Sequence, residues 1–150
     1  MHQNVEIKAK SNQNAIIRQW LQQNQARFAG LDEQTDTYFK VPAGRLKLRQ
    51  GNVENALIYY ERANTADAKL SKVTLYQVQQ NSEQLLQLLA AANGVWAVVK
   101  KRREIWFLEN VKFHLDEVAG LGTFMEIEAI DADGSLGYDY ILQQLSLIHI

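Results

Sequence analysis

The chain has 150 residues, 47% of them apolar and 22% charged, enough to bury the core of one soluble domain. Its net charge is -1, so bulk electrostatics give no reason to expect a nucleic-acid partner, and any basic surface has to be local. Cysteine is absent, which excludes disulfides, thiolate catalysis and a cysteine zinc site. No apolar run reaches membrane-spanning length and the polar start MHQNVEIK is not a signal peptide, so no membrane role is expected and the expected compartment is the cytoplasm.

Asn4 to Lys10 alternates strictly, with Asn4, Glu6, Lys8 and Lys10 on one face and Val5, Ile7 and Ala9 on the other; it reads as a half-buried strand. Ser11 or Asn12 is positioned to cap a helix whose apolar stripe, Ile16, Ile17, Trp20 and Leu21, continues to Phe28 and is stopped by Gly30. Gln34 to Lys40 is rich in strand formers, and Pro42 and Gly44 mark a turn. The sharpest alternation follows: Arg45, Lys47 and Arg49 share a face opposite Leu46 and Leu48, until Gly51-Asn52 breaks the run. Further strands are expected over 56–62, with Tyr60 and Arg62 on one face, and over 69–79.

A second helix opens at Asn81 or Ser82, carries Leu85, Leu86, Leu88 and Leu89, and ends at Gly94. Val95 to Leu108 reads as a long strand holding the run Lys100-Lys101-Arg102-Arg103, of which only one alternate pair can face inward. Val111 to Glu128 contains two alternating runs about the turn Gly120-Leu121-Gly122. Lys112, His114 and Asp116 share a face in the first run, and Glu126 and Glu128 share one in the second. Pairing of the runs would bring Asp116, Glu126 and Glu128 together, and mutually repelling carboxylates held in one place suggest a hard divalent cation. A last helix is expected from about Ser135 to Leu145.

Eight strand candidates, mostly joined by tight turns, and two or three helices predict a mainly β, α+β fold: an antiparallel sheet closed into an eight-stranded barrel with helices packed outside. One charged strand face is ordinarily solvated. Here charged faces recur from strand to strand, so closure with those faces inward would create a polar tunnel. Acids concentrate on the first and last strands, which adjoin on closure, and bases on the middle strands. A polyanion gripped by Arg and Lys, with its metal held by carboxylates, accounts for both clusters; a triphosphate with Mg²⁺ or Mn²⁺ fits that description.

These residues resemble the CYTH domain, or triphosphate tunnel metalloenzymes, a superfamily that includes class IV adenylyl cyclases and thiamine triphosphatases. The name-giving signature, Glu-x-Glu-x-Lys, appears as Asn4-Val5-Glu6-Ile7-Lys8, with Asn4 in place of the first glutamate. QTDTYF (34–39), GRLKLR (44–49), LIYYER (57–62), VVKKRREIWF (98–107) and the segment from His114 to Glu128 extend the likeness over about residues 4–130, and the last is most similar to the class IV cyclase branch. The resemblance implies metal ligands at Glu6, Asp116, Glu126 and Glu128. It implies phosphate contacts at Lys8, Arg45, Lys47, Arg49, Arg62, Lys101 and Arg103, with Lys8 and Glu126 central to catalysis.

His114, two residues before Asp116, is read either as a partner of the metal ligands or as a structural histidine. The expected organisation is one CYTH-like domain over residues 1–150, monomeric or homodimeric. It is expected to be truncated where family members continue to a Ser-Tyr-containing segment, so His149 is not expected to be a ligand. The leading expectation is cyclisation of ATP to cyclic AMP and pyrophosphate. Hydrolysis of tripolyphosphate, thiamine triphosphate or a nucleoside triphosphate, and non-catalytic binding of polyphosphate or nucleotide, are the alternatives.

Overall fold

A computed structural model describes residues 2–62 and 69–146. In chain order the elements are β1 (His2–Lys10), α1 (Asn14–Gln23), β2 (Arg27–Phe39), β3 (Arg45–Gln50), β4 (Asn55–Arg62), β5 (Lys69–Gln77), α2 (Ser82–Asn93), β6 (Val95–Leu108), β7 (Val111–Val118), β8 (Gly122–Asp131) and α3 (Tyr138–Ser146). The eight strands close into a barrel in the order β1-β5-β4-β3-β2-β6-β7-β8. Every neighbouring pair is antiparallel. The expected eight-stranded closed barrel is therefore observed, and the first and last strands do adjoin.

The barrel is not a simple succession of hairpins. Two helical crossovers break the sequential order: α1 leads from β1 to β2, and α2 from β5 to β6. They place β1 between β5 and β8, and β2 between β3 and β6.

Alternation with a period of two turns one face of each strand inward and the other outward, and on β1, β7 and β8 the outward face meets helices. Val5 of β1, Val111, Phe113 and Leu115 of β7, and Ile127 and Ala129 of β8 form the outer apolar face. Ile17 and Leu21 of α1 and Ile141 and Leu145 of α3 cover it. Each Val, Leu, Ile or Phe side chain so withdrawn from water contributes about 1.5–3 kcal/mol. The main apolar core thus lies between barrel and helices, which leaves the barrel interior available for polar groups. Arg18 of α1 pins the helix to β6 by two hydrogen bonds to the Glu104 carboxylate.

Two helix expectations are corrected. The first helix ends at Gln23, and Phe28 and Gly30 belong to β2. There the register against β6 shifts between Phe28 and Gly30, and Gly30 takes φ +143°, a conformation that disfavours other residues. Phe28 packs its ring 4.8 Å from that of Trp106, so pairing with the long β6 overrides the helical stripe. Neither expected cap residue acts as one: the N-cap is Gln13, whose N–H donates to Ser11 Oγ. The second helix is observed as expected, with Asn81 at its N-cap and Gly94 at its C-cap, and none of its residues is buried.

Candidate functional site

The inward faces enclose a cavity of about 540 Å³ lined by side chains from all eight strands and from the loop before β4. Its basic wall is organised around a residue the sequence reading passed over. Asp36 of β2 is fully buried and lies directly opposite Arg49 of β3. Arg49 donates to it through Nε (2.9 Å) and a terminal nitrogen (2.8 Å). Lys47 Nζ lies 3.6 Å and Lys101 Nζ 3.4 Å from the same carboxylate. The adjacent cation, Arg103 of β6, makes the same two-pronged contact with Asp116 of β7, at 2.8 and 2.7 Å, again across directly opposed residues. Two buried carboxylates thus hold four cations in place from behind.

The protonation states follow from this crowding. Burial and the neighbouring Arg49 push Lys47 down to about 7. Burial and Arg103 push Lys101 down to about 8. Asp36, although buried, is held well below the usual carboxylate range by Arg49 and the two lysines. A wall of weakly charged lysines beside permanently charged arginines is primed for an anion, which would restore the lysine charges.

The acidic wall is built where β1, β8 and β7 lie side by side. Glu6 faces Glu128 and Lys8 faces Glu126 across the β1–β8 ladder; His114 faces Glu126 and Lys112 faces Glu128 across β7–β8. Lys8 Nζ lies 3.8 Å from Glu126. The Glu126 carboxylate accepts from His114 Nδ1 at 3.1 Å, and this contact holds it below its ordinary value. Burial and the neighbouring Glu126 and Glu6 push Glu128 well up. His114 itself is pushed down to about 3 by burial and by Arg103 and Lys112, so the ring is neutral.

A second contributor missed in the sequence is Glu54. The carboxylate of Asp32 accepts the backbone N–H groups of Asn52, Val53 and Glu54, which folds the loop back onto β2. Any side chain at Gly51 would collide with that carboxylate. Glu54 is thereby aimed into the tunnel, where it contacts Lys112 and Arg49 and is pulled down to about 2, chiefly by those two cations. A loop residue outside any alternation offers no periodic signal; the Gly51-Asn52 break was the one visible hint.

The expected site residues land as follows. Glu6, Lys8, Lys47, Arg49, Lys101, Arg103, Glu126 and Glu128 all line the tunnel. Lys101 and Arg103 are the inward pair of the basic run; Lys100 and Arg102 are exposed, Arg102 pairing with Glu33. Arg45 is exposed at the end of β3, its guanidinium stacked 4.8 Å from the ring of Trp96, which in turn meets Tyr38 edge-on at 6.0 Å. Arg62 ends β4 opposite Ser71, and its side chain lies outside the described residues, as does His149. Asp116 does not gather with Glu126 and Glu128 as the pairing argument expects: it lies opposite Phe124, and both its oxygens are taken by Arg103. Its place in the cluster belongs to His114. Among the described residues, a ring nitrogen of His114 and one oxygen each of Glu126 and Glu128 lie within 4.8 Å of one another.

These donors fit a divalent cation. Two carboxylates and a neutral imidazole converge in a buried place, and the His114 Nε2 atom has no hydrogen-bond partner. A cation there would offset the repulsion that raises Glu128.

The chain belongs to the CYTH domain family, whose pattern matches residues 2–149. Solved structures agree with the fold. The PH1012 protein of Pyrococcus horikoshii is 30% identical, with a TM-score of 0.76 over 97% of this chain and 88% of its own. A candidate adenylate cyclase from Vibrio parahaemolyticus is 19% identical, with a TM-score of 0.71 over 96% of this chain and 85% of its own. A candidate adenylyl cyclase from Hippeastrum, described as having a dominant triphosphatase activity, is 12% identical, with a TM-score of 0.63 over 97% and 85%. No curated protein matches the chain. No helix among the described residues is long and apolar enough to cross a membrane.

Proposed function

We propose that this protein is a metal-dependent enzyme acting on a triphosphate held in the tunnel, and that its reaction is cyclisation of ATP to cyclic AMP and pyrophosphate. The observation that carries this reading is the polarity of one cavity. Lys47, Arg49, Lys101 and Arg103 lie on its basic side, and Glu126 and Glu128 lie with His114 on its acidic side. A phosphate chain alone leaves the acids unexplained, and a metal alone leaves the cations unexplained.

In this reading Arg49 and Arg103, fixed by Asp36 and Asp116, grip the phosphates without reorganising. Lys47 and Lys101 gain charge as the anion enters, and Lys8 reaches the chain from beside Glu126. Glu6, Glu126 and Glu128, with Asn4 offering a neutral oxygen beside them, are the groups that would hold Mg²⁺ or Mn²⁺. Such an ion neutralises phosphate charge and makes a ribose hydroxyl more acidic. The basic wall orients the chain so that the 3′-oxygen attacks the α-phosphorus in line with departing pyrophosphate, and the acidic wall receives the hydroxyl proton. The ring pair Trp96 and Tyr38 beside Arg45 offers aromatic surface suited to a substrate with a base attached.

The test is incubation with ATP and Mn²⁺ followed by separation of products. Cyclic AMP with pyrophosphate is expected. Orthophosphate without cyclic AMP would replace cyclisation by hydrolysis at the terminal phosphorus. Bound but unaltered ATP would reduce the protein to a binding module.

A further inference from the structure

The basic and acidic walls leave a third side of the tunnel uncharged. Lys47 of β3, Ile58 of β4 and Leu75 of β5 are directly opposed in one row across three strands, so an apolar side begins where the cations end. Ile58 and Val73, with Ala56, form an apolar cluster that lines the cavity, and Tyr60 packs against it. The rings of Tyr60 and Tyr38 in turn flank Lys47 Nζ at 5.3 and 5.5 Å. Leu75 lines the cavity yet is 43% exposed, so part of this apolar side is uncovered. Two polar groups border it. Ser71, the next inward residue beyond Val73, is buried, and its Oγ has no hydrogen-bond partner among the described residues. Gln77, the next beyond Leu75, lines the same cavity and is exposed.

A phosphate chain is charged along its whole length, and apolar contact only strips its water. A nucleobase is apolar on its faces and carries hydrogen-bonding atoms at its edge. Strand spacing of about 4.8 Å puts the Leu75 backbone about 10 Å from that of Lys47, which leaves room for a sugar between a gripped phosphate and a ring. We propose that the β4–β5 side of the tunnel is the subsite for the base of the substrate. The ring lies against Ile58, Val73 and Leu75 with its edge toward Ser71 and Gln77, and this side makes the protein prefer a nucleoside triphosphate to inorganic tripolyphosphate. The proposal rests on the reading that the tunnel holds a triphosphate.

Affinities are measured by calorimetry in Mg²⁺ for inorganic tripolyphosphate and for 3′-deoxy-ATP, which lacks the attacking oxygen. The unaltered protein should bind the nucleotide more tightly. Leu75→Ala, a change at a partly exposed side chain, should weaken the nucleotide about three- to tenfold and move tripolyphosphate by less than about twofold. Gln77→Ala should act in the same direction. With methyl-labelled leucine and valine, nuclear Overhauser contacts from Leu75 and Val73 to the base protons are expected. Tighter binding of tripolyphosphate by the unaltered protein, or equal effects of Leu75→Ala on the two ligands, would overturn the subsite and leave the triphosphate reading standing. A loss of nucleotide affinity in Trp96→Ala that Leu75→Ala does not show would seat the base at the rim and overturn it likewise. Failure of the unaltered protein to bind either ligand would overturn both readings.

Discussion

Asp36→Asn removes the negative charge at the centre of the basic wall. In an effective dielectric of about 20, one cation at 3.4–3.6 Å is attracted to Asp36 by about 5 kcal/mol, and Arg49 at 2.8 Å by about 6 kcal/mol. The gross sum is near 15 kcal/mol, but most of it offsets the desolvation of the ions. Two escapes limit the net loss further. Lys47 and Lys101 already sit near 7 and 8 and can shed their protons, and Arg49 keeps Glu54 at 3.2 Å. The expected destabilisation is about 3–5 kcal/mol at pH 6, where both lysines are charged. It should shrink by at least about 1 kcal/mol at pH 9.5, where they are neutral in either protein and only Arg49 loses a partner.

Chemical denaturation at the two pH values measures this, with and without inorganic tripolyphosphate. The anion should raise the melting temperature of the variant more than that of the unaltered protein, since it supplies the missing negative charge. A loss below about 1 kcal/mol at pH 6, or one independent of both pH and tripolyphosphate, would refute the reasoning that Asp36 acts as a counter-charge.

The remaining predictions concern the acidic wall and the lysines. Glu126→Gln should cut product formation with ATP and Mn²⁺ by at least about a hundredfold, measured by product separation, while the circular dichroism spectrum is retained. Asn4→Glu places a second carboxylate at a buried position whose Oδ1 has no partner; the metal-free melting temperature should fall, and added Mn²⁺ should recover more than it does in the unaltered protein. Triphosphate binding at pH 8.5 should take up protons, because the anion draws Lys47 and Lys101 back to the charged form; calorimetry in buffers of different ionisation heat would show it. Both lysines titrate below their ordinary value of 10.5, so the unfolded chain holds more protons between about pH 7 and 10.5. Their contribution to ligand-free stability must therefore rise with pH across that window, and a fall attributable to these lysines would contradict their burial.

The sequence by itself determined the strands and their two faces. Alternation over Asn4 to Lys10, Arg45 to Arg49 and Val111 to Leu115 is a local property of the backbone, and it separated the tunnel side from the helix side before any contact was known. It also determined that acids concentrate on the first and last strands and bases on the middle ones, from which a tunnel with two walls follows once the sheet closes. What only the tertiary structure decided is which groups meet. The β2–β3 hairpin sets Asp36 against Arg49, and the pairing of β2 with the distant β6 brings Lys101 within reach of the same carboxylate, a partnership spanning residues 36 to 101 that no periodicity encodes. Register, which one residue of slip would overturn, gave Asp116 to Arg103 and His114 to Glu126. The folded-back loop alone aimed Glu54 inward, and the long β6 claimed Phe28 and Gly30 from a helical stripe. Side-chain direction is written locally along a strand, whereas electrostatic partnership depends on long-range pairing, and that is where the physical line between sequence and structure falls in this protein.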